Sequence, residues 1–228
     1  MSLTVHQFPC LADNYGFLIR DEATGKVATV DTPDADAIIR EAEARGWTID
    51  TILNTHWHPD HAGSNEAIKA RFGSTIFAPE EVGQHYPLDV VVANGDTVLL
   101  GATQFTVIDV GGHTLGHICY YSEADAKAFV GDTLFPLGCG RLFEGTPQQM
   151  WKSLSRLADL PGQTVVYSAH EYTLANGRFA LSVDDSADLK DRMAQVERAR
   201  AAGEPTVPTT IEAERRTNPF LRAPQLSR

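Results

Sequence analysis

The most constraining feature of the sequence is a cluster of metal-ligand side chains directly behind a short apolar run. The run is Thr51-Ile52-Leu53, and the cluster that follows within residues 55 to 61 consists of His56, His58, Asp60 and His61. Neutral imidazole and carboxylate are ligands that zinc and similar divalent metals prefer. At average composition, such a pattern arises by chance on the order of once in ten thousand chains of this length. Because four such residues at the end of a predicted strand have no packing reason to be together, they predict a metal site at a sheet edge.

Three further ligand candidates each follow an apolar run of their own. These are His113 after residues 105 to 110, Asp132 after residues 128 to 130, and His170 after residues 165 to 167. Seven ligands are more than one tetrahedral zinc uses, whereas two metals that share a bridging carboxylate and a bridging hydroxide would use them all. The sequence therefore predicts a binuclear metal site.

Strand and helix patterns alternate up to residue 172. Strands are predicted at residues 2–8, 14–20, 26–31, 50–54, 75–78, 97–100, 103–110, 117–122, 127–131 and 164–168. Helices are predicted to start at the Thr32-Pro33 cap, at Ser64, and at a capping box formed by Thr146 and Gln149. This alternation predicts an α/β (α+β) protein in which helices cover sheets.

Beyond residue 172 the pattern predicts helices only, at 174–182 and 187–202, with a stripe of Leu189, Met193 and Val196. We therefore expect a catalytic domain over residues 1–172 and a helical C-terminal region over residues 173–228. That region is too small for a core of its own, so it should pack over the domain.

Composition narrows the class of protein. A chain of 228 residues suggests one large domain or one domain with a small appendage, and a net charge of −11 disfavours a nucleic-acid partner. No apolar run has transmembrane length, no secretion signal is visible, and three cysteines without a Cys-x-x-Cys pair fit a reducing compartment. We expect a cytoplasmic monomer or weak oligomer without a membrane partner.

The sequence resembles the metallo-β-lactamase superfamily through THWHPDH at 55–61, GHT at 112–114, GDT at 131–133 and AH at 169–170. Within it, longer matches at 111–120, 131–135, 138–146 and 170–173 resemble the glyoxalase II (hydroxyacylglutathione hydrolase) family. The matches at 138–146 and 170–173 are the specific ones. The resemblance runs from Asp13 to Phe220, and it implies an αββα sandwich with a small helical C-terminal region.

The resemblance also implies roles for residues. It places His56, His58 and His113 on one metal, Asp60, His61 and His170 on the other, and Asp132 between the two. The metals would be two divalent ions, zinc first, with iron or manganese as alternatives. A metal-bridging hydroxide would hydrolyse S-(2-hydroxyacyl)glutathione, such as S-lactoylglutathione, to glutathione and a 2-hydroxy acid, with no further catalytic residue. The implied substrate contacts are Arg141, Leu142, Phe143, His170 and Tyr172.

Two residues are candidates for orienting the metal ligands from behind. Asp31 ends a predicted strand and would bond a ligand histidine, although a plain turn aspartate explains it equally well. His117 is predicted to be a buried supporting histidine rather than a ligand.

Other functions remain open at this point. A persulfide dioxygenase of the same fold would hold one iron, a general thioesterase would not need glutathione, and a metal-binding module would have no turnover. The family's basic Arg-x-x-Lys-Asp motif does not occur up to Arg228, either because the family-typical end is absent or because the sequence is cut short, and for this chain we expect weaker glutathione specificity and a higher KM.

Overall fold

The computed structural model describes residues 3–226, and two six-stranded sheets form its centre. The first sheet contains, in spatial order, β1 (Leu3–Cys10), β2 (Asn14–Asp21), β3 (Val27–Val30), β4 (Ile49–Leu53), β5 (Thr75–Ala78) and β6 (Val90–Val91). Pairing is antiparallel from β1 to β3 and parallel from β3 to β6. The carboxyl ends of β3, β4 and β5 therefore meet at one edge.

The second sheet has six strands, which are β7 (Thr97–Leu100), β8 (Thr103–Asp109), β9 (Ile118–Ser122), β10 (Lys127–Gly131), β13 (Val165–Ser168) and β14 (Thr209–Thr210). Their spatial order is β14-β13-β10-β9-β8-β7, and only β10 and β13 pair in parallel. A short separate hairpin joins β11 (Leu134–Phe135) to β12 (Gly138–Cys139).

The helices are α1 (Ala35–Ala44), α2 (Pro59–Ala62), α3 (Asn65–Phe72), α4 (Pro147–Ala158), α5 (Thr173–Val183), α6 (Ala187–Ala201), α7 (Ile211–Thr217) and α8 (Ala223–Leu226), with a 3₁₀ turn at Glu80–Gln84. No helix within residues 3–226 has the length and apolar character needed to cross a membrane.

Side-chain alternation along the strands builds three apolar layers. On β2, Phe17 and Ile19 face the second sheet and pack with Phe105 and Phe129, whereas Leu18 faces the other way. Leu18 packs in the layer formed with α1 and α3. The outer face of the second sheet packs against α4 and α7. This helix–sheet–sheet–helix order is the predicted αββα sandwich.

The C-terminal helices add a fourth apolar cluster. The predicted stripe of Leu189, Met193 and Val196 is buried against Ala180 of α5 and Leu137 of the β11–β12 hairpin. Residues beyond 172 therefore pack onto the sandwich through the hairpin, as predicted.

Every predicted strand is confirmed to within two residues at each end, except for the start of the strand predicted at 2–8, and the Thr146–Gln149 capping box is confirmed as well. The strand predicted at 2–8 and the two predicted domains begin or end at residues 1, 2 or 228, which lie outside the described residues.

Three local predictions were wrong. The first helix starts at Ala35 rather than at Pro33, because Asp34 accepts a hydrogen bond from the Ala37 amide and is its N-cap. Ser64 precedes α3 without making a side-chain cap. The region beyond residue 172 is not purely helical, since β14 pairs with β13. A two-residue strand leaves no periodic pattern in a sequence.

Candidate metal centre

All seven predicted ligands come together at one end of the sandwich. His56 and His58 follow β4 and Asp60 and His61 lie on α2, while His113, Asp132 and His170 follow β8, β10 and β13. Both sheets therefore contribute ligands to this end. They are also joined there, because the backbone amide of Ile118 in the second sheet donates to the Thr55 carbonyl. Ligand atoms lie within 4.8 Å of one another in three groups, namely His56–His58–His113, His56–His61–Asp132 and Asp60–His61–His170.

In the first group, three ring nitrogens converge. His58 Nδ1 lies 3.0 Å from His56 Nε2 and 3.0 Å from His113 Nε2. His113 Nδ1 donates to the Arg141 carbonyl at 2.8 Å, and His56 Nδ1 donates to Thr55 Oγ1 at 3.0 Å. The Nε2 atoms of His56 and His113 are therefore the unprotonated, lone-pair nitrogens of neutral rings. Both lone pairs face His58 Nδ1, so a cation bound among the three nitrogens would have at least two neutral imidazole ligands ready to accept it.

In the group of Asp60, His61 and His170, the two rings are oriented by carboxylates. His61 Nδ1 donates to Asp31 Oδ2 and His170 Nδ1 donates to Asp13 Oδ1, both at 2.9 Å. The Nε2 atoms are left to face the pocket, where His170 Nε2 lies 3.4 Å and His61 Nε2 3.6 Å from Asp60 Oδ2. A carboxylate behind a histidine fixes the ring tautomer and raises the basicity of the ligand nitrogen.

Asp132 lies between the groups. Its Oδ1 is 3.4 Å from His61 Nε2, and its Oδ2 is 3.4 Å from both His113 Nε2 and His170 Nε2. Burial raises the pKa of Asp132, but the neighbouring His61 and His170 lower it further, so the net shift is downward. The group is therefore an anion, placed where one carboxylate reaches both sets of nitrogens.

Two buried atoms of the site, which lie 3.4 Å apart, have no hydrogen-bond partner among residues 3–226. These atoms are His61 Nε2 and Asp132 Oδ1. Burial lowers the pKa of His61, yet Asp132 and Asp31 together raise it to about 9, so the pocket favours positive charge on this ring. Buried orphan donors and acceptors are rare in folded proteins. A divalent cation would satisfy both atoms and replace the proton, so the donor set fits metal ions.

Asp31 and His117 both lie behind the ligands. Asp31 has φ +58° and, besides its bond to His61, accepts from the Thr55 amide at 2.7 Å. It is thus part of the support of the site as well as a turn residue. His117 is fully buried, stacks on His56 at 4.4 Å, and accepts a hydrogen bond from the Asp132 amide at Nε2. Because this hydrogen bond uses the lone pair of His117 Nε2, that nitrogen is not available as a metal ligand.

A cavity of about 500 Å³ opens beside these ligands. Arg141, Phe143 and Tyr172 line it together with His113 and Asp132. The Tyr172 ring stacks on His170 at 4.8 Å, and the Phe143 ring meets His58 and His113 edge-on. Leu142 is exposed and is not among the lining residues.

Reasoning from the sequence missed several residues around the site. Asp13, Asn14 and Thr55 each bond a ligand side chain, and Asn14 does so by donating from Nδ2 to Asp60 Oδ2 at 3.0 Å. The Asp13-Asn14 pair carries turn chemistry in the sequence, and only its contact with a segment 157 residues later shows a second role. The additional side chains lining the cavity are Phe135, Cys139, Ala175 and Asn176.

Comparison with known proteins supplies independent observations. A family model described as the metallo-beta-lactamase superfamily matches residues 17–170, and one described as the hydroxyacylglutathione hydrolase C-terminus matches residues 171–227. The chain is 58% identical to a hydroxyacylglutathione hydrolase of Maricaulis maris over 96% of this chain and 87% of that protein. It is 52% identical to a hydroxyacylglutathione hydrolase of Erythrobacter litoralis over 97% of this chain and 88% of that protein. Among solved structures, ETHE1 from Myxococcus xanthus is similar, with 27% identity, a TM-score of 0.73, and coverage of 95% of this chain and 83% of that one.

Proposed function

We propose that this chain, which belongs to the hydroxyacylglutathione hydrolases of the metallo-β-lactamase superfamily, hydrolyses 2-hydroxyacyl thioesters of glutathione such as S-lactoylglutathione. The observation that carries the proposal is the convergence of seven ligand side chains in three overlapping groups, with Asp132 3.4 Å from nitrogens of His61, His113 and His170. The family match extends over both the metal-ligand segment and the C-terminal region. Residues 1–172 would form the catalytic domain and residues 173–228 the helical region beside it.

The proposed ligands are His56, His58 and His113 for one metal and Asp60, His61 and His170 for the other, with Asp132 shared. Divalent cations, zinc first, would supply hydroxide at neutral pH and polarise the thioester carbonyl when bound there. The chain's own contribution is to orient the ligand rings and direct their Nε2 atoms into the pocket, through Asp13, Asp31, Thr55 and the Arg141 carbonyl. A thiolate leaves without a proton donor, so the site needs no general acid.

Recognition of the substrate would come from the cavity rim. Arg141 is an exposed cation on the rim of an acidic protein, and the glutathione moiety is anionic. Phe143 and Tyr172 offer apolar ring surface next to the ligand histidines. His170 serves the metal and, through its stacked ring, also supports Tyr172. Leu142 is proposed to flank the rim outside the cavity.

Hydrolysis of S-lactoylglutathione, followed as glutathione release, tests the proposal. The matched comparison is a lactoyl thioester of a short thiol that lacks the glutathione peptide. We expect a clearly higher kcat/KM for the glutathione thioester. Equal rates would make the chain a general thioesterase, and oxygen consumption with glutathione persulfide would make it a dioxygenase. Bound metal without any turnover would make it a binding module.

The cytoplasmic location and the monomeric or weakly oligomeric state remain predictions.

A further inference from the structure

Glu171, the residue after His170, forms a hydrogen-bonded junction between three parts of the chain. Its side chain is 10% exposed. Oε2 accepts from the Tyr15 hydroxyl at 2.6 Å and from the Thr206 amide at 2.8 Å, and Oε1 accepts from Thr206 Oγ1 at 2.5 Å. Arg200 Nη1 lies 3.5 Å from Oε2. Three donors from β2 and from the segment after α6 thus meet on one carboxylate.

Backbone hydrogen bonds beside this carboxylate hold two distant segments together. The Glu171 amide donates to the Asp13 carbonyl at 2.9 Å, and the Tyr15 amide donates to the Ala169 carbonyl at 2.7 Å. The Tyr15–Glu171 side-chain bond closes the same contact from the side. Residues 13–15 and 169–171 therefore keep a fixed register.

Residues 13–15 supply two of the hydrogen bonds that orient the ligand group of Asp60, His61 and His170. Asp13 bonds His170 and Asn14 bonds Asp60, and neither of these bonds involves His56, His58 or His113. A shift of the 13–15 segment would misplace both bonds at once. The first ligand group would not move with it, because the loop that carries His113 is held by Glu81, which accepts from Thr114 Oγ1 and the Gly116 amide.

We infer that Glu171 is a positioning residue for the metal held by Asp60, His61 and His170, and that it couples this metal to the C-terminal region through Thr206 and Arg200. The inference rests on the two-metal site of the proposed function. Removing the carboxylate leaves the Tyr15 hydroxyl and the Thr206 amide without their acceptor, whereas Thr206 Oγ1 can still donate to Thr173 Oγ1 at 2.6 Å. The segment that orients His170 and Asp60 would then loosen, while the other group stays intact.

The test measures metal content per chain after dialysis against a graded series of chelator concentrations. The wild-type protein should retain two metals at concentrations where Glu171→Ala retains one, and the more weakly held metal should dissociate at about tenfold less chelator, the lower end of the effect of losing an orienting partner. Glu171→Gln keeps one acceptor oxygen and should lie between the two. Glu41→Ala removes a carboxylate whose partners are His6 and Arg45, and it should match the wild type.

Combination variants identify which metal is affected. Added to Glu171→Ala, His58→Ala should leave no tightly held metal, whereas His61→Ala should leave one. If Glu171→Ala unfolds, as judged by circular dichroism, Tyr15→Phe becomes the deciding variant, with the same loss at smaller amplitude. Retention of both metals, or equal weakening of both, would overturn the inference. A wild-type chain that fails to hold two metals would overturn the proposed function itself.

Discussion

The metal centre and the rim of the cavity beside it are held in different ways. His61 and His170 are buried, and each is fixed by a hydrogen bond from behind. On the rim, Phe143 is 64% exposed, and Arg141 touches the site through its backbone carbonyl. The centre is thus built into the sandwich, whereas rim side chains project from loops. A change in the rim should alter substrate binding without altering metal content. A change in the centre should act on metal content rather than on the recognition of glutathione.

The largest effect should follow from removing the carboxylate between the ligand groups. Asp132→Ala takes away a carboxylate that lies within 3.4 Å of ligand nitrogens in both groups, so it should lose metal and abolish turnover. Metal analysis and hydrolysis assays would measure both. Asp185→Ala, at an exposed position beyond the site, is the matched control. Substantial remaining activity in a folded Asp132→Ala protein would mean that the shared ligand is misassigned.

The next effect compares the two carboxylates that orient histidines. Asp31 is buried and also bonds Thr55, whereas Asp13 is 45% exposed in its side chain. Asp31→Asn should therefore weaken metal binding more than Asp13→Asn, within the usual range of about 10- to 100-fold for such partners. Asparagine tolerates the positive φ of residue 31, which limits backbone strain. Chelator competition gives the affinities. An equal effect of the two variants would show that burial does not set the rigidity of the centre.

A smaller effect should follow on the rim. Arg141→Ala should raise KM for the glutathione thioester and change kcat little, because the lost contact is remote from the reacting carbonyl. The expected cost is about 1 to 3 kcal/mol, and it should shrink as salt rises. Arg178→Ala removes another exposed arginine and should have no effect. An unchanged KM at low salt would place the recognition surface elsewhere.

The smallest effect separates two neighbours on the rim. Phe143 contacts the rings of His58 and His113, while Leu142 does not line the cavity. Phe143→Ala should raise KM a few-fold and Leu142→Ala should leave it unchanged, and thermal unfolding should hardly move for either exposed residue. A larger effect of Leu142→Ala on KM would mean that this side chain turns into the cavity when substrate binds.

The seven metal ligands could be predicted from the sequence more fully than the residues that orient them. A ligand side chain at the end of an apolar run carries its own signal, and the resemblance fitted all seven residues to one pattern. Glu171 lies within the 170–173 match and Asp13 within a turn, but neither pattern shows a supporting role, because their contacts join residues about 156 positions apart. Pairing over such distances is fixed by the stacking of the two sheets rather than by local pattern. The β14 strand was missed because its two residues leave no periodic pattern.

One titration tests the central claim most directly, which is that two metals bound by these seven residues carry thioester hydrolysis. The metal-free protein would be reloaded stepwise with zinc, while bound metal per chain and hydrolysis of S-lactoylglutathione are measured on the same samples. The account predicts no activity without metal and full activity at two zinc ions per chain. Full activity in the metal-free protein, or a single tightly held iron with oxygen consumption on glutathione persulfide, would contradict it.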